Sequence, residues 1–442
     1  MAITIPTSPM LRLWRSWWSL AVGCLLGVSL LKFGNPIVLD RLIQPPSNLW
    51  EWIFQPWPVV WGFLTAAVVL ASSILMGYSR PTPLPGRVWI PLVWLGWQCL
   101  AATQSVEPSI SRLAVAHFAV GVGLYYAALL THSGDTFTRA SFVGPITCAL
   151  ALVLWGGFDQ HFGGLEATRR LVYQQEGWEQ LPKEYLKKLA SDRVFSTLVY
   201  PNALAGAILM LFPSCANGIW SLLYRYRFAV LWTPLGLFAY FALGCLIWSG
   251  SKAGWLIGLV LVGVWLWRLP AFSRFRIVAV LAATLLGGGF FAFRFAGYFQ
   301  KGATSVGARF DYWSSGLKTW AQRPVFGAGP ATFAATYRAQ KRPESEMALL
   351  AHNDYLEQGS DSGTVGFLAY LALFPYSVIR LYRYSSQSSL LFSIWLGLLG
   401  WTLQGAVEFG LYIPALSWSA FFFLGWLERQ ALSPQVLEEQ PR

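Results

Sequence analysis

Charge is what this sequence has least of. Only 12% of its 442 residues are Asp, Glu, Lys or Arg, about half the share of an ordinary soluble domain. With 55% apolar residues, that excludes a water-soluble globule. Histidine is scarce too, with four in the chain. There is no Asp-x-Asp pair and no His/carboxylate cluster at ligand spacing, so no metal site and no cofactor are expected. The five cysteines, Cys24, Cys99, Cys148, Cys215 and Cys245, each fall in an apolar segment. None forms a CxxC or Cys/His pattern, which excludes a zinc site or disulfide framework and reads as small buried hydrophobes. Acidic residues are outnumbered, 20 against 32 basic, for a net charge of +12. The excess is scattered through short loops rather than gathered on one stripe, so it does not point to nucleic acid.

Hydrophobic length is what the sequence has in abundance. A bilayer core needs about 20 apolar residues per helix. Segments of this kind fall at 16–31, 58–77, 88–104, 113–131, 142–158, 199–223, 228–248, 252–267, 277–293, 363–379, 388–407 and 410–427. The reading is an all-α polytopic membrane protein of about twelve transmembrane helices, one integral membrane domain over 1–442. The 24 Trp and 18 Tyr suit two membrane interfaces. Arg12 and Arg15 precede the first run, as in a signal peptide. No clear small-x-small cleavage site follows it, so it reads as an uncleaved first span whose terminal Lys32 snorkels to the surface. Arginines concentrate in alternate loops, including Arg80, Arg87, Arg139, Arg225, Arg227, Arg380 and Arg383. The positive-inside bias then puts both termini in the cytoplasm.

Two non-cytoplasmic segments are long, 159–198 and 294–362, the latter between the ninth and tenth spans. Long loops among short ones suggest chemistry. In the second, Phe310 to Arg323 predicts an amphipathic helix with Trp313, Leu317 and Trp320 on one stripe. A turn-rich run, Val325-Phe326-Gly327-Ala328-Gly329-Pro330, follows Pro324, and glycine there permits close backbone approach. A short helix is expected near Ala331 to Ala339. His352 is the only histidine of this loop, just before a predicted helix start. A neutral imidazole can accept a proton at working pH. Arg193, Lys252, Arg309, Arg323 and Arg338 are the cations nearby, either solvated or able to meet phosphate oxygens. Lys252, in the tight link Trp248-Ser249-Gly250-Ser251-Lys252-Ala253-Gly254, must sit at the membrane surface. Asp361 either orients the histidine or shapes the turn. Glu344 and Glu346 read as a solvated acidic pair. The basic residues of the first loop, Arg169, Arg170, Lys183, Lys187 and Lys188, either cover the site or belong to a solvated helix.

The run His352-Asn353-Asp354-Tyr355-Leu356-Glu357-Gln358-Gly359-Ser360-Asp361-Ser362-Gly363-Thr364-Val365-Gly366 resembles the signature of the bacterial O-antigen ligase and O-antigen polymerase-like superfamily. Arg309 with Tyr312-Trp313, the Arg323-to-Pro330 stretch, Tyr200-Pro201-Asn202-Ala203-Leu204-Ala205-Gly206 and Ser251-Lys252-Ala253-Gly254 resemble its other elements, in the family's order. The resemblance implies a GT-C-like membrane glycosyltransferase of the bacterial inner membrane, metal-independent and inverting. Its donor would be a polyprenyl-pyrophosphate-linked glycan. Its acceptor would be lipid A–core in a ligase, a growing chain in a polymerase, or a protein in an O-oligosaccharyltransferase, on the periplasmic side. His352 would activate the acceptor hydroxyl, and Arg193, Lys252 and Arg309 would hold the pyrophosphate. Asn353, Tyr355, Asp361, Arg323 and Arg338 would be supporting residues. Lys252 stands where the family usually has arginine, keeping the charge without the bidentate fork. Some relatives carry a putative bicarbonate-transporter label, so transport is the competing class. A transporter would place ionisable groups near mid-membrane, where His117 and Glu408 are the candidates.

Overall fold

A computed structural model describes residues 9–75, 84–131, 136–174, 190–269, 273–300 and 304–432. Regular structure among them is entirely helical, as the apolar runs predict. The first half comprises α1 (Pro9–Lys32), a short α2 (Leu49–Phe54), α3 (Val59–Leu75), α4 (Ile90–Thr103), α5 (Pro108–Thr131), α6 (Thr136–Asp159) and α7 (Leu165–Tyr173). Next come α8 (Pro201–Leu223), α9 (Phe228–Trp248), α10 (Lys252–Arg268), α11 (Arg276–Gln300) and α12 (Thr304–Gln322). The C-terminal part holds α13 (Phe333–Gln340), α14 (Asp354–Leu371), α15 (Ser377–Ser385), α16 (Ser389–Gln404) and α17 (Pro414–Ala431).

Five of the described helical stretches are long and apolar enough to cross a membrane: Pro108–Leu130, Ala140–Arg170, Pro201–Leu223, Arg276–Tyr298 and Asp354–Ser385. The protein is therefore an α-helical integral membrane protein. Its helices start where the chemistry of orphan N–H groups favours it. Ser251 caps α10, Asn353 caps α14 and Ser388 caps α16, each through its side-chain oxygen. Pro201 and Pro414 open α8 and α17, where no N–H is needed.

The core is built by α5 on α17, α1 on α6 and α8 on α16. Small residues set these crossings, as is usual between helices in a bilayer. A Cβ on Gly425 would lie 2.1 Å from the Tyr125 carbonyl oxygen, and one on Gly397 would lie 2.0 Å from that of Met210. α17 is buried almost all round, with Trp418, Phe421, Phe422 and Trp426 at its centre. α11 is the opposite case: it packs on α10 and turns Leu281, Leu285, Leu286 and Phe293 outward.

Several details depart from expectation. Cys24, Cys99 and Cys148 face outward and only Cys215 and Cys245 are buried, because apolar side chains on lipid-facing surfaces need no core. Lys32 does not snorkel; it is buried and donates to the carbonyls of Trp52, Ile53 and Gln55 at 2.5–3.1 Å, closing the C-terminal end of α2. The segment after Asp159 does not become a long loop at once: it kinks at Phe162 and Gly163, the latter with φ +138°, and resumes as α7. The long 294–362 segment is also shorter as a loop than its polarity suggests, since α11 runs on to Gln300 and α14 begins at Asp354. Within it, the buried stripe of α12 is Tyr312, Ser315 and Thr319, while Leu317 is exposed. Ser315 and Thr319 face α13 because both bond to Gln340.

Candidate active site

Four separated pieces of chain supply one cluster of polar side chains. The link before α8 brings Arg193. The first residue of α10 is Lys252. The second turn of α12 brings Arg309, and the approach to α14 brings His352. All four line a single cavity of about 190 Å³, together with Asn202, Tyr312 and Glu346.

Local structure aims each of them. Arg193 donates through Nε to the Ser249 carbonyl at 2.6 Å and through Nη2 to Asn202 Oδ1 at 2.7 Å. It passes over Gly250, whose φ of +60° and lack of Cβ let the guanidinium stem lie against the turn. Lys252 begins α10 and lays its ammonium over the Tyr298 ring, 3.7 Å from the centroid, with Phe295 at 5.2 Å. His352 has φ +53°, a left-handed conformation that histidine adopts more readily than most residues. Its ring stacks on Tyr312 with centroids 5.9 Å apart and meets the edge of Phe409 at 4.7 Å.

The hub is Glu408, in the link between α16 and α17. Its Oε1 accepts from Arg309 Nη2 and from Asn202 Nδ2, the latter at 2.5 Å. Its Oε2 faces His352 Nδ1 at 3.1 Å. An ionised carboxylate only accepts, so in the neutral imidazole Nδ1 carries the proton and Nε2 keeps its lone pair. Burial pushes the Glu408 carboxyl up, but His352 and the Arg309 and Arg193 guanidiniums outweigh it and hold it below the usual carboxylate range. Burial lowers Arg193 from its ordinary value; Glu408 opposes this and Arg309 adds to it, a sign that the two guanidiniums crowd one another. Three cations facing one committed carboxylate, with Glu346 also on the wall, leave the cavity with room for an anion. Chemically, the arrangement can match a developing negative charge and accept one proton at Nε2.

The supporting residues separate. Arg323 and Arg338 are exposed and do not line the cavity. Asn353 caps α14, bonding the Leu356 N–H at 3.0 Å. Tyr355 donates to the Thr402 carbonyl at 2.6 Å. Asp361 does not touch His352; it accepts from the Ala331 N–H at 2.6 Å and from Tyr412 at 2.7 Å, so of its two readings it shapes the turn. Glu346 is on the cavity wall rather than one of a purely solvated pair. His117 is buried and accepts from Trp418 Nε1, with Leu411 O and Ser417 at its other nitrogen. In the first loop Arg169 pairs with Asp192 and Glu166, and Arg170 with Glu166, as in a solvated helix. Lys183, Lys187 and Lys188 lie outside the described residues, as do Arg80 and His132.

Glu408 is the member that sequence reasoning placed elsewhere, as a candidate for a mid-membrane transport site. One signal pointed to it: it is the only charged residue between Arg383 and Glu428. An isolated carboxylate in that much apolar sequence needs a partner.

An all-helical membrane protein with a cation-lined cavity and a carboxylate-bound histidine is the class these observations define. Residues 237–371 match the sequence model of the family described as O-antigen ligase, a similarity that supports an O-antigen ligase-like superfamily. The match covers under a third of the chain. It includes Lys252, Arg309 and His352 and leaves out Arg193 and Glu408. A Haemophilus influenzae protein described as an uncharacterized protein is similar over 149 residues at 28% identity. The similarity covers 28% of this chain, and the chain spans 37% of that relative's length.

Proposed function

We propose that this protein is a membrane glycosyltransferase that moves a glycan from a polyprenyl pyrophosphate to an acceptor hydroxyl on the periplasmic side, with lipid A–core as the acceptor. The observation that carries the reading is the bond from His352 Nδ1 to Glu408 beside Arg193, Lys252 and Arg309. Nε2 takes the proton of the acceptor hydroxyl. The hydroxyl oxygen attacks the anomeric carbon opposite the leaving group. The sugar–phosphate bond breaks, and its electron pair leaves with the pyrophosphate, matched by the three cations. The anomeric centre inverts. Glu408 stabilises the imidazolium that forms. The charge match supports a metal-independent reaction, because fixed cations already supply what a metal would.

The reading also takes up the twelve-span, GT-C-like arrangement in the inner membrane, with both termini cytoplasmic and the long loops periplasmic. Each of the twelve predicted segments overlaps a helix, and the positive-inside bias supports the orientation. Transport draws less support: Glu408 is held in a link between helices, and His117 is committed to packed partners.

The test is transfer from a polyprenyl-pyrophosphate glycan by the purified protein in lipid. The reading expects an inverted anomeric product and an undiminished rate in EDTA; a retained configuration or a chelator-sensitive rate contradicts it. A deletion strain identifies the acceptor. Free polymer without long-chain lipopolysaccharide means ligase, accumulated single repeats mean polymerase, and a lost glycoprotein with intact glycan means protein transferase. Solute flux in proteoliposomes without any transfer would favour transport.

A further inference from the structure

Two carboxylates that the reaction above does not use lie on the first turn of α14. Asp354 and Glu357 are both completely buried. Full burial of an acidic side chain is rare and costly without a partner, and no Lys, Arg or His is bonded to either among the described residues. Their hydrogen-bond partners are backbone N–H groups that flank the His352–Glu408 pair. Glu357 accepts from the Ala351 N–H at 2.9 Å, one residue before the histidine. Asp354 accepts from the Leu411 N–H at 3.2 and 3.3 Å. The Asp354 N–H donates to the carbonyls of Gly405 at 2.7 Å and Glu408 at 3.1 Å. Gly405 lets this contact close, since a Cβ there would lie 3.2 Å from Asp354 Oδ2.

We infer that Asp354 and Glu357 are positioning residues: one turn of helix holds the 405–411 link through Asp354 and the left-handed histidine through Glu357, and so sets the separation of the base from its carboxylate. The inference rests on the proposed role of His352. Neither residue lines the cation-lined cavity, so donor binding is expected to survive their loss.

The experiment measures kcat and donor KM for polyprenyl-pyrophosphate glycan transfer by full-length Asp354→Ala, Asp354→Asn, Asp354→Glu and Glu357→Leu, beside wild type and His352→Ala. Displacing a reacting group by about 1 Å costs about 100-fold in rate. We expect kcat to fall by about that factor in Asp354→Ala and Glu357→Leu, with donor KM within about threefold. Asp354→Asn, which still offers an oxygen to Leu411, should recover most of the rate. Asp354→Glu keeps the carboxyl but lengthens the arm, so it should lose kcat while remaining folded, and it decides the matter if the alanine variant does not accumulate. An unchanged kcat in Asp354→Glu and Glu357→Leu, or equal losses in kcat and donor affinity, overturns the inference. If His352→Ala is dead while these variants are active, only the positioning role fails. If His352→Ala is itself active, the reading beneath it fails as well.

Discussion

Glu408 divides its two oxygens between two tasks. Oε1 holds Arg309 and Asn202, and Oε2 orients His352. Glu408→Gln keeps the shape and still accepts from Nδ1–H, but it removes the charge that stabilises an imidazolium and frees Arg309. Transfer should fall by about 10²- to 10³-fold, comparable to the loss of one electrostatic contact in an active site; steady-state kinetics on the purified variant would show it. The carboxyl's value is held low in the folded protein, mainly by His352 and the guanidiniums against the effect of burial. Its stabilisation is therefore fully present above the ordinary carboxylate value, about 4.3, and is lost as pH falls through the lower folded value. The melting-temperature gap between wild type and Glu408→Gln should be constant above about pH 5 and close below about pH 4. A gap that widens toward acid would contradict the ion-pair account.

At the scale of elements, α14 anchors the segment that carries His352, and its kink shows how the helix itself is held. Gly363 has φ +69°, which breaks the helical ladder. The freed groups pair with the turn after α12: the Ala328 and Gly329 N–H groups donate to the carbonyls of Ser360 and Asp361, and the Thr364 N–H donates to that of Pro324, all at 2.8 Å. A Cβ on Gly363 would lie 2.1 Å from the Val325 carbonyl oxygen. Gly363→Ala should therefore destabilise the protein by about 2–3 kcal/mol or more through backbone strain and displaced packing, read as a lower unfolding midpoint in detergent. The glycine-rich turn and its close approach were legible in the sequence, because glycine pairs recur there at short spacing. The start of α14 was not. Its first eight residues include Asp354, Glu357 and Asp361, so hydropathy placed the span at Gly363. The polar face is buried against Gln98, Tyr412 and the 405–411 link rather than exposed. For the same reason α12 buries Ser315 and Thr319 instead of Leu317: small polar residues reach a partner, while a leucine at a membrane surface loses little by facing outward.

For the molecule as a whole, helix positions were readable because a bilayer demands long apolar runs. Only the family resemblance separated Arg193, Lys252 and Arg309 from Arg323 and Arg338, which read alike from residue type and loop position; these three and His352 were thus legible. Their convergence on Glu408 was not, since residues 193, 252, 309, 352 and 408 meet only once α8, α10, α12, α14 and α16 are packed. A second ion-pair cluster lies about 20 residues beyond Glu408 in sequence, near the other end of α17. There Glu428 pairs with Arg87 at 2.8 Å and with Arg380, joining α17 to α15 and to the turn before α4. Each end of α17 is thus tied to its neighbours by a buried carboxylate paired with arginine, Glu408 with Arg309 at one and Glu428 with Arg87 and Arg380 at the other, and the cavity sits at only one of them. The account's central claim is that the cations bind the donor and His352 alone performs the proton transfer. The direct measurement is donor affinity and single-turnover transfer on the same preparation of His352→Ala. Donor affinity within about threefold of wild type, with transfer reduced by about 10²-fold or more, is the predicted result. Wild-type transfer by that variant, or loss of donor binding together with the chemistry, would contradict it.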